Sequence, residues 1–139
     1  MCGIFSYAGS ESKNVLKVIK GLRDLEYRGY DSWGIAVESG GKIIAKKAVG
    51  KISEAREEDF KELFGSSAIG HTRWATHGSV SEKNTHPHFS ADNTVAVVHN
   101  GIIENYETLK DGLIKKYGAG QFRSETDTEV IPHLISDFL

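Results

Sequence analysis

At 139 residues the chain has the length of one ordinary domain, large enough to bury a real core. Its 39% hydrophobic and 26% charged residues are those of a globular protein, and a formal net charge of -2 gives no electrostatic case for nucleic acid or a membrane surface. One cysteine excludes an internal disulfide, Glu11, Lys13 and Lys17 break any signal-like apolar run, and no stretch approaches the ~20 apolar residues of a membrane span, so a cytoplasmic protein is expected.

Cys2 to Ala8 is short, apolar and aromatic and reads as a strand with Cys2 at its mouth, followed by a turn at Gly9-Ser10. Ser12 is placed to cap a helix whose apolar positions Val15, Leu16, Ile19, Leu22 and Leu25 follow helical spacing, ending near Gly29. Trp33–Glu38 and Lys42–Ala48 read as a hairpin around Ser39-Gly40-Gly41. Glu54–Phe64 reads as a short helix with Phe60, Leu63 and Phe64 on one side. Ser67–Trp74 and Thr94–His99 are two further strands, joined by a loop long enough to suggest function. Asn105–Tyr117 reads as a helix stopped by Gly118-Ala119-Gly120. Thr126-Asp127-Thr128-Glu129 has the capping-box pattern ahead of Val130, Ile131, Leu134 and Ile135, with Pro132 expected to bend that helix or shift its start. The apolar face continues through Phe138 and Leu139, so the chain is expected to finish inside a helix. Strands and helices alternate along one domain spanning 1–139, with no repeat or linker composition, so the class is α/β or α+β.

Cys2 directly follows the initiator methionine, and removal of Met1 would leave a thiol and a free α-amine on one residue. Thiols titrate near ~8.5 and α-amines near ~7.7–8.0, so the amine can serve as general base for its own sulfur. With Met1 in place that nitrogen is an amide and the base is lost. A thiol attacking an amide or ester also needs oxyanion donors and groups that hold the substrate. Asn100-Gly101, after the apolar strand, offers a side-chain amide and a backbone N–H, though Asn-Gly alone is also a common tight turn. His71-Thr72-Arg73-Trp74-Ala75-Thr76-His77-Gly78 places a guanidinium fork beside further polar groups, or else a surface arginine stacked on Trp74. Asp127 suits a substrate ammonium, or complements a helix dipole from the first turn.

These segments occur in a set order: Met1-Cys2-Gly3-Ile4, Leu25 to Ser32 with Arg28, His71 to Gly78, Thr85-His86-Pro87-His88, His99 to Asn105, and Ser124 to Glu129. Together they resemble the glutaminase domain of the glutamine–fructose-6-phosphate aminotransferases, class II glutamine amidotransferases of the N-terminal nucleophile hydrolase type. The resemblance runs from Cys2 to about Ile135. It implies an α+β fold, an αββα sandwich of antiparallel sheets that this chain supplies only in part. It implies that Cys2 attacks the glutamine side-chain amide, that Asn100 and the Gly101 N–H hold the oxyanion, and that Arg73 grips the substrate carboxylate. Trp74, Thr76 and His77 would line the site, Asp127 would hold the substrate ammonium, and Arg28 would order the surroundings of Cys2. The implied reaction releases ammonia for amination of fructose-6-phosphate, with no cofactor and no metal. The implied partners are an isomerase domain or separate subunit, a second chain completing the fold, and a homo-oligomeric assembly. Amidotransferases of purine and asparagine synthesis share the Cys2 start and the Asn-Gly pair, but the run Arg73 to Gly78 together with Ser124 to Asp127 favours the hexosamine branch.

Trp33 departs from the pattern, standing where the family has a small residue. A glutamine-binding or assembly module that keeps Met1 is a different class of reading. A metal site built from His71, His77, His86, His88 and His99 is a third, and these histidines lack a usual ligand spacing.

Overall fold

The computed structural model describes residues 1–9, 15–76 and 78–139. Ser12, expected as a cap, and His77, expected in the site, lie outside the described residues.

Strand β1 (Gly3–Ala8) is followed by helix α1 (Val15–Asp24), strands β2 (Ser32–Ser39) and β3 (Lys42–Val49), and strand β4 (Ser67–Arg73). These four strands form one antiparallel sheet in the order β1-β4-β2-β3. The β2–β3 hairpin closes at Gly40 and Gly41, both at positive φ (60° and 80°), which a two-residue turn of this kind requires. Two-residue strands β5 (His88–Phe89) and β6 (Ala96–Val97) make a second antiparallel pair. Helices α2 (Tyr106–Tyr117) and α3 (Val130–Phe138) pack on each other, and α3 also packs on β5 and β6. The layers are therefore α1, the four-stranded sheet, the short pair, then α2 and α3. This is the expected αββα arrangement, with only two strands in the second sheet among the described residues. No described helix is long and apolar enough to cross a membrane.

Register decides what each face of the large sheet carries. In β4, Ala68, Gly70 and Thr72 share one face, paired with Val37, Ile35 and Trp33 of β2. Val18 and Leu22 of α1 lie over Gly70, so this face meets α1. Val15, Val18, Ile19 and Leu22 of α1 join Trp33, Ile35, Val37, Ala68, Ile52, Phe60 and Leu63 in one apolar core. Trp33 is buried against Phe60, ring centroids 5.2 Å apart, and so fills this core on the face opposite the histidines and Arg73. The other face carries Ile69, His71 and Arg73 of β4 beside Ala36, Gly34 and Ser32 of β2. Gly34 admits the His86 carbonyl, which would lie 2.0 Å from a Cβ there, and Lys47 Nζ donates to the Pro87 carbonyl at 3.1 Å. The second sheet is thus held against this face by polar contacts.

Several expected elements differ. α1 ends at Asp24, and a separate 3-10 turn (Glu26–Arg28) follows; Leu16, read as apolar-face, is solvent-exposed. Glu54–Phe64 is not a helix: it forms two 3-10 turns, Ile52–Glu54 and Glu57–Phe60, separated by extended Ala55 and Arg56. The Asp59 carboxylate accepts the Arg56 N–H at 2.9 Å, a local alternative to a helical bond, while Ile52, Phe60 and Leu63 are pulled into the core; Phe64 stays outside. The strand expected over Thr94–His99 pairs only at Ala96 and Val97. The capping box at Thr126 does not form: Glu129 reaches past it to the N–H groups of Arg123 and Ser124 at 2.7 Å each. Pro132 is accommodated because Asp127–Glu129 is a 3-10 turn and α3 proper starts at Val130, leaving Pro132 in the first α-helical turn.

Candidate active site

Cys2 directly precedes β1. Continuing the alternation that puts Gly3 opposite Thr72 places it on the face of His71 and Arg73, away from the apolar core. Its Sγ accepts the Trp74 N–H at 3.3 Å and lies 3.5 Å from the Trp74 carbonyl oxygen, so the end of β4 holds the sulfur. Arg28, leaving the turn after α1, donates Nε–H to the Cys2 carbonyl at 3.4 Å, and its Nη2 lies 3.9 Å from Met1 Sδ.

A cavity of about 360 Å³ opens here. It is lined by Met1, Cys2, Arg28, Arg73, Trp74, Thr76, Asn100, Gly101 and Asp127, and also by His71, His86, His99, Ile102, Thr126 and Thr128. Among the described residues, every expected site residue borders this one space. Asn100 donates Nδ2–H to the Cys2 carbonyl at 3.2 Å, and its Oδ1 lies 2.8 Å from His71 Nε2. Arg73 is almost fully buried, and its Nη1 and Nη2 donate to the carbonyls of Ser79 and Gly78 at 3.2 and 3.5 Å. Burial lowers its pKa, while Cys2 and Asp31 act as counter-charges, and a guanidinium remains charged. Trp74 packs edge-on against Tyr30, centroids 5.2 Å apart, rather than against Arg73. Thr76 lies exposed at the rim. Asp127 starts the 3-10 turn before α3, and its Oδ2 accepts the Ile103 N–H at 2.7 Å, joining the loop after Gly101 to the turn.

Two of the lining rings, His71 and His86, form with His88 a cluster to which the sequence assigned no role beyond an alternative metal site. His71 and His86 stack at 4.3 Å, and His86 meets His88 edge-on at 4.5 Å. Burial drives all three toward the neutral form: His71 falls to about 4, His88 to about 3, and His86 lower still. His88 Nε2 is 2.9 Å from Thr126 Oγ1, His99 Nδ1 is 3.2 Å from Thr128 Oγ1, and His86 Nδ1 accepts the His99 N–H at 3.3 Å. Among the described residues no group of three or more histidine, cysteine or carboxylate side chains is arranged to hold a metal ion. The rings are engaged in stacking and hydrogen bonds instead.

A second unanticipated device secures the loop that follows Arg73. Buried Asn84 donates to Ser79 O at 3.0 Å and to Glu125 Oε2 at 2.9 Å, and accepts the Glu125 N–H at 2.9 Å. Lys83 pairs with Glu125 at 2.7 Å. Partners more than forty residues apart leave no local pattern that would have revealed them.

Fold and cavity together describe a thiol at a chain start set against an amide donor, a cation and an anion. In agreement, residues 44–138, well over half the chain, match the glutamine amidotransferase domain, and the chain belongs to that family. More particularly, it is 51% identical over 140 residues to the glutamine–fructose-6-phosphate aminotransferase [isomerizing] of Pyrococcus horikoshii. The corresponding proteins of Methanosarcina mazei and Synechocystis sp. are 54% and 53% identical over 138 and 141 residues. These alignments take in 97% to 100% of this chain but only 22% to 23% of those proteins, so the chain spans less than a quarter of its relatives' length. The structure is also similar to glutamine phosphoribosylpyrophosphate amidotransferase from B. subtilis, at 32% identity and a TM-score of 0.78, covering 98% of this chain and 29% of that one. A second solved structure, of the allosteric regulatory enzyme of purine biosynthesis, matches at 33% identity and a TM-score of 0.77 over the same shares.

Proposed function

We propose that this chain performs the glutaminase half of glucosamine-6-phosphate synthesis. The observation that carries this reading is the meeting of Cys2, Asn100, Arg73 and Asp127 in one cavity. Free glutamine is a zwitterion with a neutral amide at its far end. Arg73 takes the α-carboxylate through its planar fork and Asp127 takes the α-ammonium, which leaves the amide to reach the sulfur. After Met1 is removed, the Cys2 α-amine accepts the thiol proton and the sulfur bonds to the amide carbon. The carbonyl oxygen gains the negative charge and is met by Asn100 Nδ2–H and the Gly101 N–H. The α-ammonium returns its proton to the departing nitrogen, which leaves as ammonia. Water then cleaves the thioester to glutamate and the free thiol. Trp74 and Thr76 border the bound substrate, and Arg28 holds the backbone at Cys2.

The identities of 51% to 54% with aminotransferases, against 32% to 33% with the purine enzymes, favour fructose-6-phosphate as the ammonia acceptor. That acceptor chemistry belongs to a further isomerase domain or a separate subunit, which we place in a homo-oligomeric assembly. A lone thiol fits a reducing, cytoplasmic setting. The test is direct. N-terminal mass spectrometry is combined with assays of glutamate and ammonia release from glutamine. The Met1-free chain, joined to any completing domain, should release both in equal amounts. A trimmed and folded chain that binds glutamine without releasing ammonia would instead make it a glutamine-binding module.

A further inference from the structure

We propose that His71 is a positioning residue for the oxyanion hole, its Nε2–H holding Asn100 Oδ1 so that the Asn100 amide N–H is presented to Cys2. This deepens the glutaminase reading and rests on it. The orientation of the Asn100 amide follows from two neighbours. The Cys2 carbonyl can only accept, so the amide nitrogen, at 3.2 Å, must face it. The amide oxygen is then turned toward His71 Nε2 at 2.8 Å, and only a protonated Nε2 gives an attractive contact there.

The other ring nitrogen agrees. Nδ1 is buried with no partner in hydrogen-bonding geometry. As a bare acceptor it is tolerable; as an N–H it would be an orphaned donor, the rarer and costlier state. A neutral ring with its single proton on Nε2 satisfies both sides. Burial keeps it neutral: the ring is 1% exposed and stacked on His86, with the Arg73 charge two residues along β4, and together these outweigh the hydrogen bonds to the Asn100 side chain and the His99 backbone, which favour the charged form. A β-strand is a stiffer support than the loop carrying Asn100, so His71 passes the rigidity of β4 to an otherwise loop-borne donor.

The experiment compares His71→Leu, His71→Gln and wild type, each with and without Asn100→Ala, by steady-state glutaminase kinetics. Glutamine reproduces the reach and donor of Nε2; leucine does not. His71→Leu should lower kcat about 10- to 100-fold with KM changed less than about threefold, the scale of losing a residue that orients a reacting group. His71→Gln should recover most of that loss. In the Asn100→Ala background His71→Leu should cost less than about threefold, because the group it orients is gone. An equal loss in both backgrounds, or a folded His71→Gln no better than His71→Leu, would overturn the proposal. Imidazole 15N NMR of the wild-type chain provides an arm independent of turnover and of variant folding. It should show His71 as the Nε2–H tautomer at pH 7.5; an Nδ1–H tautomer or an imidazolium would refute the assignment. A wild-type chain that releases no ammonia sinks the glutaminase reading, and the NMR arm still decides the geometry.

Discussion

The two faces of the four-stranded sheet are built from the same strands, and both are buried along the central strands β2 and β4, yet they differ in kind. Toward α1, β2 and β4 present Trp33, Ile35, Val37 and Ala68 to an aliphatic helix stripe. Toward the second sheet they present Ser32, His71 and Arg73, and the elements on that side bury Thr85, His86, His88, Ser124, Thr126, Thr128 and Glu129. The first face removes apolar area from water, the dominant source of stability in a domain. The second exchanges hydration for hydrogen bonds, a far smaller net gain, and demands that each group find a partner. A protein selected only for stability would gain by filling that second layer with aliphatic residues. Its polarity is explained by what it holds: the loop with Asn100, the turn with Asp127 and the strand end with Arg73. One face keeps the chain folded; the other holds in register the groups proposed to react.

This contrast can be broken by substitutions that cross it. The largest effect is expected at Cys2→Ala, which should abolish ammonia release while leaving the melting temperature near that of wild type; an active variant would end the mechanism. Asn100→Ala should lower kcat by about 10²–10³, the usual cost of one oxyanion donor, with little change in glutamine affinity measured by calorimetry. On the opposite face, Leu22→Ala should cost about 3 kcal/mol in urea unfolding, because a fully buried leucine leaves a cavity, while kcat per folded molecule stays unchanged. A fall in kcat there would show that the faces are coupled.

Acid should attack the polar layer first. Burial holds His71 at about 4 and His88 at about 3 in the folded chain, below the ordinary ~6.5 of the unfolded one. The unfolded state therefore binds more protons below pH ~6.5, and stability falls as pH drops through that window. Glu129 acts lower. Burial alone would raise its pKa, but nearby His133, the Ser124 hydroxyl and the Arg123 and Ser124 N–H groups outweigh this and hold it at about 2. Its stabilisation is present above the unfolded value near ~4.3 and is lost toward pH 2. Glu129→Gln should cost about 2 kcal/mol at pH 7 and flatten the lower limb of the acid-unfolding curve while leaving the upper one. The smallest effect is expected at Leu16→Ala, on the outer side of α1, within about 0.5 kcal/mol by urea unfolding.

Elements with a clean period were legible in the sequence. α1, the β2–β3 hairpin, β4 and α2 follow from spacing and turn chemistry, because in each one stripe or one alternation carries the pattern. The pattern misled where tertiary contacts outweighed it. Residues 54–64 have helix-like spacing, yet anchoring Ile52, Phe60 and Leu63 in the core favours two tight turns. Thr126 to Glu129 carry the capping-box residue types, but Thr126 spends its hydroxyl on His88, and Glu129 turns back to residues 123 and 124.

By itself, then, the sequence determined the chemistry on offer: a thiol beside the chain start, an amide donor after an apolar strand, one cation and one anion able to read a zwitterion. Residue types and their order suffice for that, because nucleophilicity, charge and donor capacity are properties of the side chains. Only the tertiary structure decided which buried face each residue joined, that Trp33 is core, that three histidines form a neutral cluster beside Asn100, and that Asn84 ties the loop after Arg73 to Glu125. Those outcomes depend on strand register and on partners tens of residues apart, and neither leaves a periodic trace in a linear chain.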